Sequence, residues 1–413
     1  MEKNENIVTN ANKSGHEKRN VPTLRFREYT DSWTLIPIKK LLRFQNGINA
    51  DSTKYGKGIK YISVSDILNN QYITYDCIKG LIDIDEKTFN KFIVEYGDIL
   101  FQRSSETFED IGRANVYLDK EHSATFGGFV IRGKKISDYN PIFFRYLLCT
   151  HNARKQTVRM GAGAQHYNIG QEGLEKICLY FPCLQEQQKI SDFLSTIDNK
   201  IAVQNKIISK YETLIKGISY DYFSKQPDYT TKLENLILKG KAGGTPSSTV
   251  AEYYDGNIPF LSISDMTKQG KYVKSTEKHI SESGLANSSA WIVPSKSLIL
   301  SMYASVGLVC INTVPLVTSQ AMFSMVLKDC KMLDYIYYYL NFFRETQILR
   351  LLETGTQSNI NADTVRHIEI AFYSNISILV KTLQAIEHRL NNEKDILSRL
   401  MDLKTYLLSN LFI

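Results

Sequence analysis

Few residues in this chain have the types and spacing that covalent chemistry requires. Asn140-Pro-Ile-Phe143 is one proline short of the Asn-Pro-Pro-Phe box of amino-methyltransferases, and no glycine-rich cofactor loop accompanies it. A proline just after an asparagine also suits the first turn of a helix, and that is the reading adopted. Gly161-Ala-Gly163 lacks the third glycine and the preceding strand of a dinucleotide loop, and there is no Walker A sequence. Asp83, Asp85, Glu86 and Lys87 read as a solvated charged turn rather than a nuclease cluster. Cys77, Cys149, Cys178, Cys183, Cys310 and Cys330 are scattered, with no CxxC pair and no Cys/His spacing for zinc. They read as reduced thiols of a cytosolic protein. With 50 Lys and Arg against 43 Asp and Glu, the net charge of +7 permits a polyanionic partner without requiring one.

The elements that would position a binding surface are better marked. From Ile190, apolar residues recur at alternating steps of four and three: Leu194, Ile197, Ile201, then Gln204, then Ile208, Tyr211, Ile215, Ile218 and Tyr222. That is a heptad seam, which predicts a long helix from Leu184 to Ser224 that pairs with another. Its counterpart lies in the same chain: Leu379, Leu383, Ile386, Leu390, Glu393, Leu397, Leu400, Lys404, Leu407 and Leu411. The polar break recurs, Glu393 answering Gln204, while Lys404 interrupts the second seam.

Each long helix follows a mixed unit, and the two units replay one order. Strands are expected at Tyr61–Asp66, at Ile93–Asp98 running on to Ser104, at Asn115–Leu118, at Phe129–Arg132 and at Leu179–Pro182, with one helix from Pro141 to about Met160. Phe260–Asp265 repeats Tyr61–Asp66, Leu298-Ile299 repeats Ile99-Leu100, and the loop Thr354–Ile360 answers Gly161–Ile169. A composition of 43% hydrophobic and 23% charged residues is that of a folded protein. The fold class is α/β, mixed α+β, with a pseudo-two-fold internal repeat. The expected divisions are a disordered tail (1–20), a first globule (21–182), the first long helix (183–226), a second globule (227–373) and the second long helix (374–413). Paired antiparallel, helices of roughly 60 Å would throw the globules to opposite ends. The uncharged stretch Ser297–Leu327 could imitate a membrane span, but its polar and β-branched residues predict two or three buried strands with a turn near Asn312.

Over residues 21–413 the chain resembles the specificity subunit of type I restriction-modification enzymes. The likeness is carried by Ser63–Asp66 and Ser262–Asp265, Gly97-Asp-Ile-Leu100, the Gly-Gln-Asn loops, Lys241-Ala-Gly-Gly-Thr-Pro246, and Phe181-Pro-Cys-Leu-Gln-Glu-Gln-Gln-Lys-Ile190. The resemblance implies two target recognition domains, each reading half of a split sequence in double-stranded DNA, separated by two antiparallel coiled-coil helices that set the unread gap. It implies a cytoplasmic, non-catalytic subunit without cofactors. S-adenosylmethionine, ATP and Mg would sit on its partners, two methyltransferase subunits and two motor-nuclease subunits. Two departures stand out: Cys183 replaces a second proline at the first helix start, and Phe372-Tyr-Ser-Asn-Ile-Ser377 has lost the Gln-Glu-Gln pattern.

Phosphates attract Lys and Arg, whereas base edges suit Arg, Gln, Asn, Ser and Thr. The loop candidates for DNA contact in the first unit are Lys54, Lys57, Lys60, Arg103, Ser104, Ser105, Arg113, Gln165 and Asn168. In the second they are Lys241, Thr245, Ser247, Tyr303, Ser305, Gln357 and Asn359. Asn and Gln beside glycines can instead tie a loop to its own backbone. Gln185, Gln187, Gln188 and Lys189 are candidates for touching a methyltransferase subunit. The rival reading is a coiled-coil adaptor whose globules grip proteins rather than DNA.

Overall fold

The computed structural model describes residues 7–9, 20–163, 166–349 and 359–413. The chain divides into two compact units, 1–205 with 396–413, and 206–395.

The first unit is built on an antiparallel sheet in the order Leu42–Asn46, Val130–Lys135, Ile99–Gln102, Ala114–Val116. Ile131 lies opposite both Phe101 and Asn46, and Ile99–Gln102 is buried throughout, as an apolar central strand must be. A smaller sheet sets Tyr55–Ile62 between Thr125–Phe126 and Leu81–Ile82. Thr34–Pro37 pairs with Cys178–Phe181, which leads into the first long helix.

Three expected elements differ. The Ser-x-Ser-Asp segments do not continue their strands: the strands end at Ile62 and Leu261, and Ser63 and Ser262 cap the helices Val64–Asn69 and Ile263–Gln269. Asp66 accepts both the N–H (2.8 Å) and the hydroxyl (2.7 Å) of Ser63, and Asp265 repeats this with Ser262 at 2.9 and 2.6 Å. Reciprocal capping of this kind outweighs the alternating pattern. The helix expected from Pro141 to Met160 is two helices, Pro141–Cys149 and His151–Arg159. Thr150 turns to an extended conformation between them, and its hydroxyl accepts the N–H of Ala153. Ile93–Asp98 likewise forms only a bridge, Val94 to Ala124.

The second unit repeats the plan. Ile237–Ala242, Met322–Leu327, Leu298–Ser301 and Val309–Asn312 stand in the order of the first unit's strands, with Tyr272–Val273 added beyond. Tyr229–Lys232 pairs with Glu369–Phe372 as Thr34–Pro37 does with Cys178–Phe181. The uncharged stretch thus becomes three strands of this sheet plus the short Val317–Thr318. Among the described residues, no helix is long and apolar enough to cross a membrane.

The long helices are Leu184–Phe223 and Ile376–Asn410, of 40 and 35 residues. Both run from one unit into the other. In the first unit Ile190, Leu194 and Ile197 share a core with Leu407, Leu411 and Phe412. In the second, Leu379 and Leu383 pack with Phe223, Ile215 and Ile218. The pairing is antiparallel within each unit. Ile208 and Leu390 are buried, and Ile201, Tyr211, Ile386, Leu397 and Leu400 half-buried. The seam ends therefore pack on their own globules as well as on a facing helix.

Candidate nucleic-acid interface

In the first unit, the end of the central strand gathers several of the expected polar residues. The Arg103 N–H donates to the Phe129 carbonyl at 2.9 Å, and its Nη1 reaches the Gly128 carbonyl at 3.3 Å. Ser104–Ser105 pairs antiparallel with Tyr167–Asn168, and the Ser104 hydroxyl donates to Asn168 Oδ1. Arg103, Ser104, Ser105 and Asn168 therefore share one patch. Gly128 makes the patch possible: a Cβ there would lie 1.6 Å from Asn49 Oδ1. Gly112, at φ 63°, turns the chain back so that its N–H meets the Gln102 carbonyl.

The other candidates are dispersed. Lys54 ends a short turn capped by Asp51, whose carboxyl the Thr53 N–H holds below its ordinary range. Lys57 pairs with Asp83 at 3.1 Å in solvent, and Arg113 with Asp110 at 2.6 Å. Lys60 lies in the strand Tyr55–Ile62 rather than in a loop. Its ammonium donates to the Tyr75 carbonyl at 2.8 Å and sits 4.4 Å from that ring. Gln165 lies outside the described residues.

The second unit builds the same end with different side chains. Met302 N–H to Ala321 carbonyl, 2.8 Å, replaces Arg103 to Phe129, and Ile360 N–H to Met302 carbonyl repeats Ile169 to Arg103. Tyr303 is exposed in the place of Ser104, and Asn359 is exposed beside Ile360. Ser305, at φ 54°, opens the turn that Gly307 closes at φ 75°. The Thr245 hydroxyl donates to Gln320 Oε1 at 2.5 Å, Ser247 bonds Thr249 at 2.8 Å, and Lys241 Nζ reaches the Ser289 carbonyl at 3.2 Å. Gln357 lies outside the described residues.

At the first helix start, Gln185, Gln188 and Lys189 are exposed. Gln188 bonds Asn140 and Asp192, and Lys189 pairs with Glu28 at 3.2 Å. Gln187 corrects the expectation: it is buried, accepting the Asn140 N–H and donating to the Pro182 carbonyl, so it presents nothing outward. Sequence reasoning passed over Arg132, buried in the central sheet with Nη2 2.6 Å from Gln45 Oε1. Burial lowers its pKa, although Asp98 and Glu95 oppose this. The signal was an arginine inside an apolar strand, Val130-Ile-Arg132. Phe129 and Gln320, on the same turns, were also passed over.

Two equivalent units, each with a polar patch at the end of its central strand, make a duplicated scaffold. The family model for the type I restriction modification DNA specificity domain matches residues 32–213 and 230–394, and the chain belongs to that family. It is a type I restriction-modification specificity subunit, with two DNA-specificity domains in tandem. Among its relatives, the type I restriction enzyme HindI specificity subunit of Haemophilus influenzae is 24% identical, over 82% of this chain and 92% of that one. The MjaIX specificity subunit of Methanocaldococcus jannaschii is 27% identical over 40% of this chain and 38% of its own. The fold is similar to the crystal structure of a type I S subunit from M. genitalium, with a TM-score of 0.56 at 14% identity, covering 95% of this chain and 99% of that one. A chain from a structural study of complex assembly and conformational transition in a type I system matches at the same TM-score, with 12% identity, over 92% and 97%.

Proposed function

We propose that each unit reads one half of a bipartite duplex target and that the paired helices fix the unread gap and dock methyltransferase subunits. The observation that carries this is the pair of equivalent tips, one built as Arg103-Ser104 with Asn168, the other as Met302-Tyr303 with Asn359. One backbone frame with different base-facing chemistry is what two different half-sites require. Gln185, Gln188 and Lys189 supply the outward groups for a methyltransferase contact at the first helix start. S-adenosylmethionine, ATP and Mg belong in this reading to the methyltransferase and motor-nuclease partners, and the assembly works in the cytoplasm.

Single-molecule sequencing of methylated bases, in a host with and without the gene, tests this. A bipartite adenine-methylated motif should vanish with the gene. If none does, and the purified complex lacks a methyltransferase and shows no salt-dependent DNA binding, the protein-gripping adaptor replaces it. A heptad inserted in step into both long helices should lengthen the gap by up to about three base pairs, from roughly 10 Å of added helix, with both half-sites unchanged.

A further inference from the structure

Phe129 is 71% exposed, yet its backbone is held rigidly. Its carbonyl accepts the Arg103 N–H, and the Val130 N–H closes the turn on Gly127 at 2.9 Å. Gly47 and Gly127 let two turns touch, since a Cβ on Gly47 would lie 2.0 Å from the Gly127 carbonyl oxygen. A single exposed apolar side chain needs no explanation by itself; what marks Phe129 is its place beside Arg103 and Ser104 at the wall of an uncharged cleft.

The second unit has Ala321 at the position of Phe129, as the matching bond from Met302 shows. Its exposed ring has moved to the neighbouring strand. Tyr303, 43% exposed, stands where the first unit has Ser104. At this pair of adjacent positions each unit thus places one ring and one small residue, Phe129 and Ser104 in the first and Tyr303 and Ala321 in the second. Beside the first ring, Arg103 is anchored on the Gly128 carbonyl.

The surroundings identify the occupant. Phe129 walls a cleft of about 510 Å³ with Tyr55, Tyr61, Ser63, Ser65 and Ser104, and none of its described lining residues is a charged one. Rings and hydroxyls stack on and hydrogen-bond to a nucleobase, whereas a phosphate or a charged peptide would need ions there.

We propose that Phe129 and Tyr303 are the base-contacting aromatic residues of the two units, each stacking on or wedging beside a base of its own half-site, and that their exchanged positions help make the half-sites different. This rests on the DNA-reading function above. The test uses the full chain in complex with its methyltransferase subunits. Phe129→Ala should weaken binding to a duplex carrying the methylated motif roughly ten- to hundredfold and relax methylation specificity at one half-site only. Tyr303→Ala should do the same at the other half-site, and Phe129→Trp should retain binding. Unchanged melting of each variant establishes that the fold is intact. A wild-type complex with no bipartite motif overturns the underlying reading. A specific wild type whose motif and affinity survive both alanine variants overturns this proposal alone, as does loss of the methyltransferase subunit from Phe129→Ala, which would make the ring a protein contact.

Discussion

Lys404 Nζ lies 2.5 Å from Asp198 Oδ1, joining the end of the second long helix to the first within one unit. Asp198 is 6% exposed, and its other oxygen accepts the Tyr146 hydroxyl at 2.7 Å. The lysine that breaks the apolar spacing is therefore the counter-ion of a buried carboxylate. Removing one member strands the other, which costs about 3–5 kcal/mol when both are buried and less here because Lys404 is partly hydrated. Lys404→Met should destabilise the first unit by roughly 2–4 kcal/mol. Adding Asp198→Asn to it should recover part of the loss. Denaturant unfolding followed by Trp33, in a Trp291→Phe background, reads this unit alone. Equal losses for the single and double variants would show that the pair contributes nothing as a pair.

The second unit solves the same problem with another lysine. Glu387 accepts the Tyr338 hydroxyl at 2.6 Å, as Asp198 does that of Tyr146, but the cation is Lys271 at 2.7 Å, from the globule. Lys271 also pairs with Asp334 at 2.7 Å. Burial would raise the pKa of Asp334, but Lys271, the Tyr272 hydroxyl and the Gln384 amide outweigh it and hold the carboxyl below its ordinary range. A lowered acid stabilises the fold above its unfolded pKa, about 3.9, and that contribution disappears as pH falls through the folded value. The loss caused by Asp334→Asn should therefore be full at pH 6 and shrink below about pH 4. Asp98 has the opposite sign: burial raises it, despite the N–H groups of Lys135 and Glu95. Its contribution is present at low pH and lost as pH rises through its folded value. Relative to the parent, Asp98→Asn should gain stability with rising pH. Melting from pH 3 to 7 checks both, and slopes of the same sign would contradict the assignment.

Arg25 meets Glu186 through two parallel bonds of 2.7 Å, with both side chains buried, and Arg25 Nη2 also reaches the Asp31 carbonyl at 2.6 Å. The pair fixes the strand Leu24–Phe26 to the opening turn of the first long helix. A buried bidentate pair is costly to break from one side only. Glu186→Gln should cost about 3–5 kcal/mol, whereas Arg25→Met with Glu186→Leu should cost much less. Trp33-detected unfolding distinguishes them, and a double variant as unstable as the single would mean that the shape of the pair, not its charge, matters.

Features that repeat a period were legible in the sequence. The seams at Ile190–Tyr222 and Leu379–Leu411 marked both long helices because a long amphipathic stripe has few alternative conformations. The duplication was legible because Ile99-Leu100 and Leu298-Ile299 fill equivalent buried strands. What stayed hidden depends on single side chains meeting across long separations. Nothing near Lys404 marks Asp198 as its partner, and nothing near Gln187 says that Asn140 will bury it. The break at Thr150 was hidden too, because no glycine or proline marks it and one hydroxyl decides the turn. Among site residues, Arg103, Ser104, Ser105 and Asn168 could be named as polar loop residues, but that Ser104–Ser105 pairs with Tyr167–Asn168 was not legible. Phe129 was passed over because an apolar residue beside a strand reads as core.

The two capping boxes allow an internally controlled measurement. Ser63 and Ser262 begin equivalent helices, and each donates its N–H and hydroxyl to an aspartate three residues on. Removing either serine hydroxyl should cost about 0.5–2 kcal/mol, and similar amounts in the two units, because the geometry repeats. The aspartates should differ. Asp265 Oδ1 also accepts the Glu277 N–H at 3.1 Å, tying the helix to a following strand. Asp265→Ala strands that donor as well as those of Ser262; an unsatisfied buried group costs about 1–3 kcal/mol, and a part-buried donor at the exposed Glu277 costs less. Asp265→Ala should therefore be more damaging than Asp66→Ala, by about the cost of one such group. Trp291 reports the first variant and Trp33 the second, each in a background where the other tryptophan is Phe. If the two aspartate variants lose the same stability, the Glu277 contact contributes nothing measurable and the boxes act as helix caps alone.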